Sequence, residues 1–120
     1  MSHLVAIRTQ VHELAGVVAA CQRLQLPAPV NMTVKLFNAT VSGWAVRLPD
    51  WRFPVVCDLA HGTLQFDNFG GRWGAEAQLH RFLQAYAVET TLLQARRQGY
   101  AAYEQPLPDG SIRVTLQAGA

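Results

Sequence analysis

The sequence predicts an α+β fold in which two helices pack on one face of a mainly antiparallel sheet of about five to six strands. Two segments, residues 11–25 and 76–98, repeat apolar residues every three or four positions, as amphipathic helices do. The segments around them alternate apolar and polar residues, the period of a half-buried strand. The order is strand, helix, several strands, helix, hairpin. The nearest simple plans are the ferredoxin-like and split β-α-β arrangements.

Length and composition indicate one domain. The chain has 120 residues, of which 50% are hydrophobic and 15% charged, and this balance excludes an intrinsically disordered protein. A chain of this size buries about two-thirds of its unfolded surface, so its core needs no disulfide. We therefore expect a single domain spanning residues 1–120.

The first half of the chain begins with a strand and a helix. Residues 2–10 predict the strand, because Val5 and Ile7 occupy alternate positions. Residues 11–25 predict the helix, which ends before Pro27 because proline cannot donate the helical hydrogen bond. Extended segments follow, separated by turn signals at Pro49-Asp50 and His61-Gly62; they cover residues 32–37, 41–48, 53–59 and 63–69.

The second half predicts a long helix and a hairpin. Glu76 near the start and Arg96-Arg97 near the end of residues 76–98 complement the helix dipole. Gly99 stands where a left-handed helix cap belongs. The strands at residues 100–104 and 111–117 flank Asp109-Gly110, a pair typical of tight hairpin turns.

The charge distribution and the cysteine content give no sign of a nucleic-acid, metal or cofactor site. The net charge is +2, and the basic residues are scattered from Arg8 to Arg113, so no patch for nucleic acid is evident. Cys21 and Cys57 form no CxxC pair, and no glycine-rich phosphate loop is present, so we expect neither a metal nor a cofactor. Without a signal-peptide pattern or a membrane-length apolar run, the expected location is the cytoplasm, with reduced thiols.

Both ends of the chain resemble one protein family. The start combines Met1-Ser2-His3-Leu4 with Ile7-Arg8-Thr9-Gln10, and the second half carries segments at 82–87, 98–100 and 109–113. In this order, and in a chain of this length, they resemble the hypothetical chloroplast open reading frame 35 family of cyanobacteria, algal plastids and other bacteria. The family is a domain of unknown function. Its members are encoded near AAA-type ATPases and small companion proteins, which implies an adaptor or assembly role.

The resemblance is weakest before the long helix. The family tends there toward an acidic, aromatic stretch, whereas this chain has Asp67-Asn68-Phe69 followed by Gly70-Gly71-Arg72-Trp73-Gly74. No residue role is carried over from the family to this stretch.

Aromatic residues beside arginines provide the candidate binding surface. Trp51, Phe69, Arg72 and Trp73 lie in segments rich in proline, glycine and aspartate, and Phe53 is close in sequence. Tryptophan and arginine are enriched in the energetic centres of protein interfaces. We therefore expect a non-enzymatic interaction domain that binds a protein, with an AAA-type ATPase or a small companion protein as the partner that the resemblance implies.

Two alternative functions remain open at the level of sequence, and a homo-oligomer is compatible with any of them. A small-molecule or phosphate-binding enzyme would use Arg72 with His61, Cys57 or Asp67, since a thiol, an imidazole and carboxylates can act as nucleophile, base or ligands. A nucleic-acid binder would stack bases on aromatic rings beside arginines. The low charge and an exposed sheet edge would also permit a homo-oligomer.

Overall fold

The computed structural model describes residues 4–118, apart from the side chain of Arg8. The predicted start of the first strand at Ser2, and the final Gly119 and Ala120, lie outside this range. The elements are β1 (Val5–Arg8), α1 (Leu14–Arg23), β2 (Val30–Lys35), β3 (Thr40–Val46), β4 (Val55–Asp58), β5 (Thr63–Phe66), a 3-10 turn (Phe69–Gly71), α2 (Glu76–Arg97), β6 (Tyr100–Pro106) and β7 (Ile112–Ala118). The predicted α+β class is confirmed.

Five strands form the main sheet, in the order β1-β5-β4-β3-β2, with every neighbouring pair antiparallel. Strands β2 to β5 are a meander, because each pairs with the strand that follows it. Strand β1 closes the sheet at its other edge, where Val5 is opposite Phe66. The two outer strands are therefore β1 and β2.

Both helices cover one face of this sheet. The main core joins Val17 of α1 and Phe82 of α2 to Cys57 and Leu64 of the sheet, all four with 0% exposure. The helices approach closely at Gly16, where an added Cβ would lie 2.5 Å from Cγ2 of Thr90. The absence of a side chain at Gly16 thus sets the distance between α1 and α2.

A second, smaller core lies on the opposite face of the sheet. Val55 and Cys57 belong to the main core, whereas Val56 between them belongs to the second, as the alternation of side chains along a strand requires. Ala45 and Val56 are directly opposite each other in β3 and β4. The second core comprises Val34, Leu36, Val41, Ala45 and Val56, with Leu4 and Phe53 packed against it. This face is covered by loops rather than by helices.

The terminal hairpin does not join the main sheet. Strands β6 and β7 form a two-stranded sheet of their own. Arg23 of α1 links it to the helices, donating to Glu104 at 2.8 Å and to Glu89 at 2.9 Å. Near the turn, Nε2 of Gln84 donates to the carbonyl of Gly110. The hairpin was predicted correctly as an element, but it packs beside α2 and leaves the main sheet with five strands.

Across residues 4–118, no helix combines the length and apolarity needed to cross a membrane.

Candidate interaction surface

Six residues from three loops form one cluster, which we call the arginine-aromatic surface. Trp73 lies at its centre, with its ring centroid 4.6 Å from Phe69, 5.3 Å from Phe37 and 5.8 Å from Phe53. Two exposed arginines complete it. The members are Phe37, Arg52, Phe53, Phe69, Arg72 and Trp73. The structure thus brings together the predicted Phe69, Arg72 and Trp73.

Both guanidinium groups lie over aromatic rings. Cζ of Arg52 is 4.5 Å from the ring centroid of Trp73 and 5.4 Å from that of Phe53. Cζ of Arg72 is 5.2 Å from the ring centroid of Phe69. Within residues 4–118, neither arginine has a carboxylate within ion-pair distance. Stacking uses the planar face of a guanidinium and leaves the N–H groups at its edge able to bind an acidic group.

Backbone hydrogen bonds hold the two arginine-bearing loops together. The N–H of Arg52 donates to the carbonyl of Trp73 at 2.8 Å, joining the β3–β4 loop to the loop before α2. Within the second loop, the carbonyl of Asn68 accepts from Gly71 at 3.0 Å and from Trp73 at 2.9 Å. Hydrogen bonds to both its N–H and its C=O therefore fix the backbone of Trp73.

Two buried polar residues stabilise this loop by hydrogen bonds to its backbone. Asp67 and Asn68 are 1% and 4% exposed. Oδ1 of Asp67 accepts a hydrogen bond from the N–H of Phe69, and Nδ2 of Asn68 donates to the carbonyl of Gly74. Burying polar groups is costly unless they are hydrogen-bonded, so these contacts favour one loop conformation. Asp67, predicted as a ligand or acid-base group, is thus part of the loop scaffold.

Phe69 has a strained backbone at the surface. Its φ is +47°, in the left-handed region that bulky side chains rarely adopt. Such conformations cost about 1–3 kcal/mol and persist where the surrounding contacts impose them. In this conformation the Phe69 ring contacts Trp73 and lies under the guanidinium group of Arg72.

Trp51, the fourth predicted binding residue, packs toward the main core. Its ring lies edge-on to Phe66 at 5.7 Å, and its Nε1–H donates to the carbonyl of Ala75 at 3.0 Å. The ring also lies against Gly74, where an added Cβ would be 2.3 Å from it. Trp51 therefore holds the start of α2 in place and is not a member of the arginine-aromatic surface.

The structure does not bring His61 and Cys57 of the predicted enzymatic site to Arg72. Cys57 is 0% exposed, and burial, followed by the nearby Cys21 thiol, raises its pKa to about 12, so it is a protonated core thiol. His61 lies at the β4–β5 turn, where its Nδ1 is 2.8 Å from Oδ2 of Asp58. Asp67 and Arg72 lie beyond the other end of β5. In the part of the chain that the structure describes, no group of three or more metal-ligating side chains converges.

The Asp58–His61 pair lies on an exposed turn. The side chain of His61 lowers the pKa of Asp58 below its usual value by hydrogen bonding to the carboxylate, and the backbone N–H of His61 adds a second hydrogen bond. An acid beside an imidazole orients a catalytic histidine in hydrolases, but there a nucleophile completes the set. The neighbouring thiol of Cys57 belongs to the core on the other side of β4.

Sequence reasoning missed Phe37 as a site residue. It was assigned to the end of a strand, but it follows β2 in a tight turn and is 53% exposed. Phe37 and Trp73 meet only because the β2–β3 turn approaches the loop before α2. No local pattern signals such a contact.

Comparisons with protein-family models, curated proteins and solved structures found no match for this chain.

Proposed function

We propose that this chain is a non-enzymatic interaction domain that binds an acidic segment of a protein partner through the arginine-aromatic surface. The observation that carries the proposal is the position of Arg52, stacked on Trp73 at 4.5 Å with no carboxylate partner among residues 4–118. A carboxylate from another protein would complete the pair. An AAA-type ATPase or a small companion protein is the partner class that the family resemblance implies.

The composition and rigidity of the surface support this proposal. Tryptophan and arginine dominate the energetic centres of protein interfaces. Because hydrogen bonds fix the two loops beforehand, a partner would not have to order them, and binding would cost less conformational entropy. The strained φ of Phe69 is also typical of segments that present side chains to a ligand.

The contacts of Trp73 favour a protein partner over single-stranded nucleic acid. Base stacking needs an open ring face, whereas Trp73 is already contacted by Arg52 and by three phenylalanine rings. The phosphate-binding enzyme has less support, because Arg72, His61 and Cys57 are separated as described above.

Affinity capture from the native host, followed by binding measurements with the purified partner, tests the proposal. We expect Arg52→Ala and Trp73→Ala each to weaken binding at least about tenfold, which is about 1.4 kcal/mol. Arg52→Lys should also weaken binding, because lysine keeps the charge but not the planar stacking. The matched control is Arg96→Ala, an exposed arginine about 30 Å away along α2.

The results separate the alternatives. Equal affinity of the wild type, Arg52→Ala and Trp73→Ala for the partner would overturn the proposal. So would binding of a single-stranded oligonucleotide that weakens steeply with salt and is lost in the same variants, because the surface would then serve nucleic acid.

A further inference from the structure

We propose that the terminal hairpin is a dimerisation arm, in which β7 pairs antiparallel with β7 of a second copy of this chain. The result would be a four-stranded sheet, in the order β6-β7-β7-β6, across a two-fold axis. This proposal does not depend on the arginine-aromatic surface.

The hairpin has only two strands, and α2 supports it on the side of β6. An isolated pair of strands is marginal in water, and both packing on a helix and additional strands stabilise it. Strand β6 lies nearer α2 and bears the ion pair from Arg23 to Glu104, whereas β7 is the outer strand.

The outer edge of β7 has unused backbone groups. Leu107 donates to the carbonyl of Ser111, so these two residues are a hydrogen-bonded pair. The next pair, Pro106 opposite Ile112, is a non-hydrogen-bonded pair, in agreement with the missing N–H of proline. In an antiparallel pair the hydrogen-bonded positions alternate, so the N–H and C=O groups of Val114 and Leu116 point away from β6. Among residues 4–118 no strand pairs with that edge.

The side chains on the same positions are apolar. Val114 is opposite Glu104 and Leu116 is opposite Ala102, so all four share one face of the hairpin. Glu104 accepts a hydrogen bond from Arg23 of α1, so this face of the hairpin is directed toward the helices. Leu116 is nevertheless 48% exposed. A second hairpin beside β7 would extend this apolar face and cover Leu116.

The sequence of β7 is complementary to itself in the register that pairs the whole strand. Antiparallel pairing of residues 112–118 with the same residues of a second copy places Thr115 opposite its own copy, Val114 opposite Leu116, and Arg113 opposite Gln117. Like charges opposite each other destabilise a sheet, and this register contains none. It also makes Val114 and Leu116 a hydrogen-bonded pair, in agreement with the outward direction of their backbone groups.

Strand β7 carries little protection of its edge. Charged residues, lysine above all, and proline commonly block pairing of edge strands, and β7 contains Arg113 but neither lysine nor proline. Strand β2, one of the two outer strands of the main sheet, ends in Lys35. A second copy is thus the occupant that this edge fits.

The first test is the mass of the full-length protein between about 1 and 100 µM, measured by sedimentation or light scattering. We expect a concentration-dependent dimer with twice the chain mass of 13.2 kDa. Val114→Pro should be a monomer, because proline removes an outward N–H while leaving the hydrogen bonds between β6 and β7 intact. A monomeric wild type at about 100 µM, or a Val114→Pro variant that still dimerises, would overturn the proposal.

Cysteine cross-linking gives a second test that does not depend on how Val114→Pro folds. A Thr115→Cys variant should form a disulfide-linked dimer on mild oxidation, because self-opposed positions lie within disulfide distance. The matched control Arg113→Cys should not, since its copy is four residues further along the neighbouring strand. Cys21 and Cys57 are buried and will not compete. Equal cross-linking of the two variants, or none in either, would contradict the predicted register.

Discussion

The hydroxyl oxygen of Tyr86 accepts a hydrogen bond of 3.1 Å from the backbone N–H of Glu13, at the start of α1. The N–H of His12 donates to the same oxygen, also at 3.1 Å. The side chain of Glu13, the N-cap residue of α1, makes no capping hydrogen bond. A tyrosine from α2 therefore satisfies groups at the beginning of α1, and the contact links the two helices.

Tyr86→Phe should destabilise the fold by about 1–3 kcal/mol, because it removes the acceptor from two partly buried N–H groups and keeps the ring in place. Chemical denaturation monitored by circular dichroism measures the loss. Tyr103→Phe, at a side chain that is 57% exposed, is the matched control and should change the stability by less than about 0.5 kcal/mol. Equal effects of the two substitutions would contradict the assignment of the hydroxyl.

Gly16→Ala should lower the stability, although the same change in an open helix raises it by about 1 kcal/mol. The new Cβ would lie 2.5 Å from Cγ2 of Thr90 and 2.7 Å from Cε2 of Tyr86, so α1 and α2 must separate. Overpacking of this kind costs about 1–3 kcal/mol. The measurement is the denaturation midpoint of the variant. Thr90→Ser removes the methyl group nearest to the new Cβ and should recover part of the loss in the double variant.

Asp58 should titrate below its usual range, because His61 hydrogen-bonds to its carboxylate and lowers its pKa from 3.8. A lowered pKa in the folded state gives stability that is present above the unfolded value and is lost as the pH falls through the folded value. NMR titration of the carboxyl carbon should show the shift, and His61→Ala should reverse it. An unchanged titration in His61→Ala would exclude the imidazole as the main cause.

The two cysteines should react slowly in the folded protein. Burial raises the pKa of Cys57 to about 12 and that of Cys21 to about 11, so at pH 8 almost no thiolate is present. Labelling with a thiol reagent at pH 8 should be slow in buffer and rapid in denaturant. Fast labelling of Cys57 in the folded chain would revive its predicted nucleophilic role.

Local patterns predicted the elements well, and long-range contacts account for what they missed. The long helix was placed at residues 76–98 and extends over Glu76–Arg97, since its apolar spacing and the glycine at position 99 act within a few residues. Gly99 has a φ of +79°, as a left-handed cap requires. Alternation also located the hairpin, but a period of two does not reveal which sheet a strand joins.

Local sequence likewise predicted only the part of the arginine-aromatic surface whose residues are close together in the chain. Phe69, Arg72 and Trp73 are neighbours in sequence, so any compact loop would hold them together. Phe37 belongs to the β2–β3 turn, far from Trp73 in sequence, and hydrophobic periodicity does not predict contacts between distant segments. Trp51 was grouped with the surface because it is an aromatic residue in a loop. Its indole N–H, bound to the carbonyl of Ala75, directs the ring inward instead.

The order of strands in the main sheet also has a consequence for how the chain folds. Strands β2 to β5 can zip together as successive hairpins, because each closes only a short loop. Pairing of Val5 with Phe66 must close a loop of about sixty residues, and its entropic cost is met only after the meander exists. We therefore expect β1 to dock after the rate-limiting step. A substitution such as Ile7→Ala would then accelerate unfolding and leave the folding rate nearly unchanged.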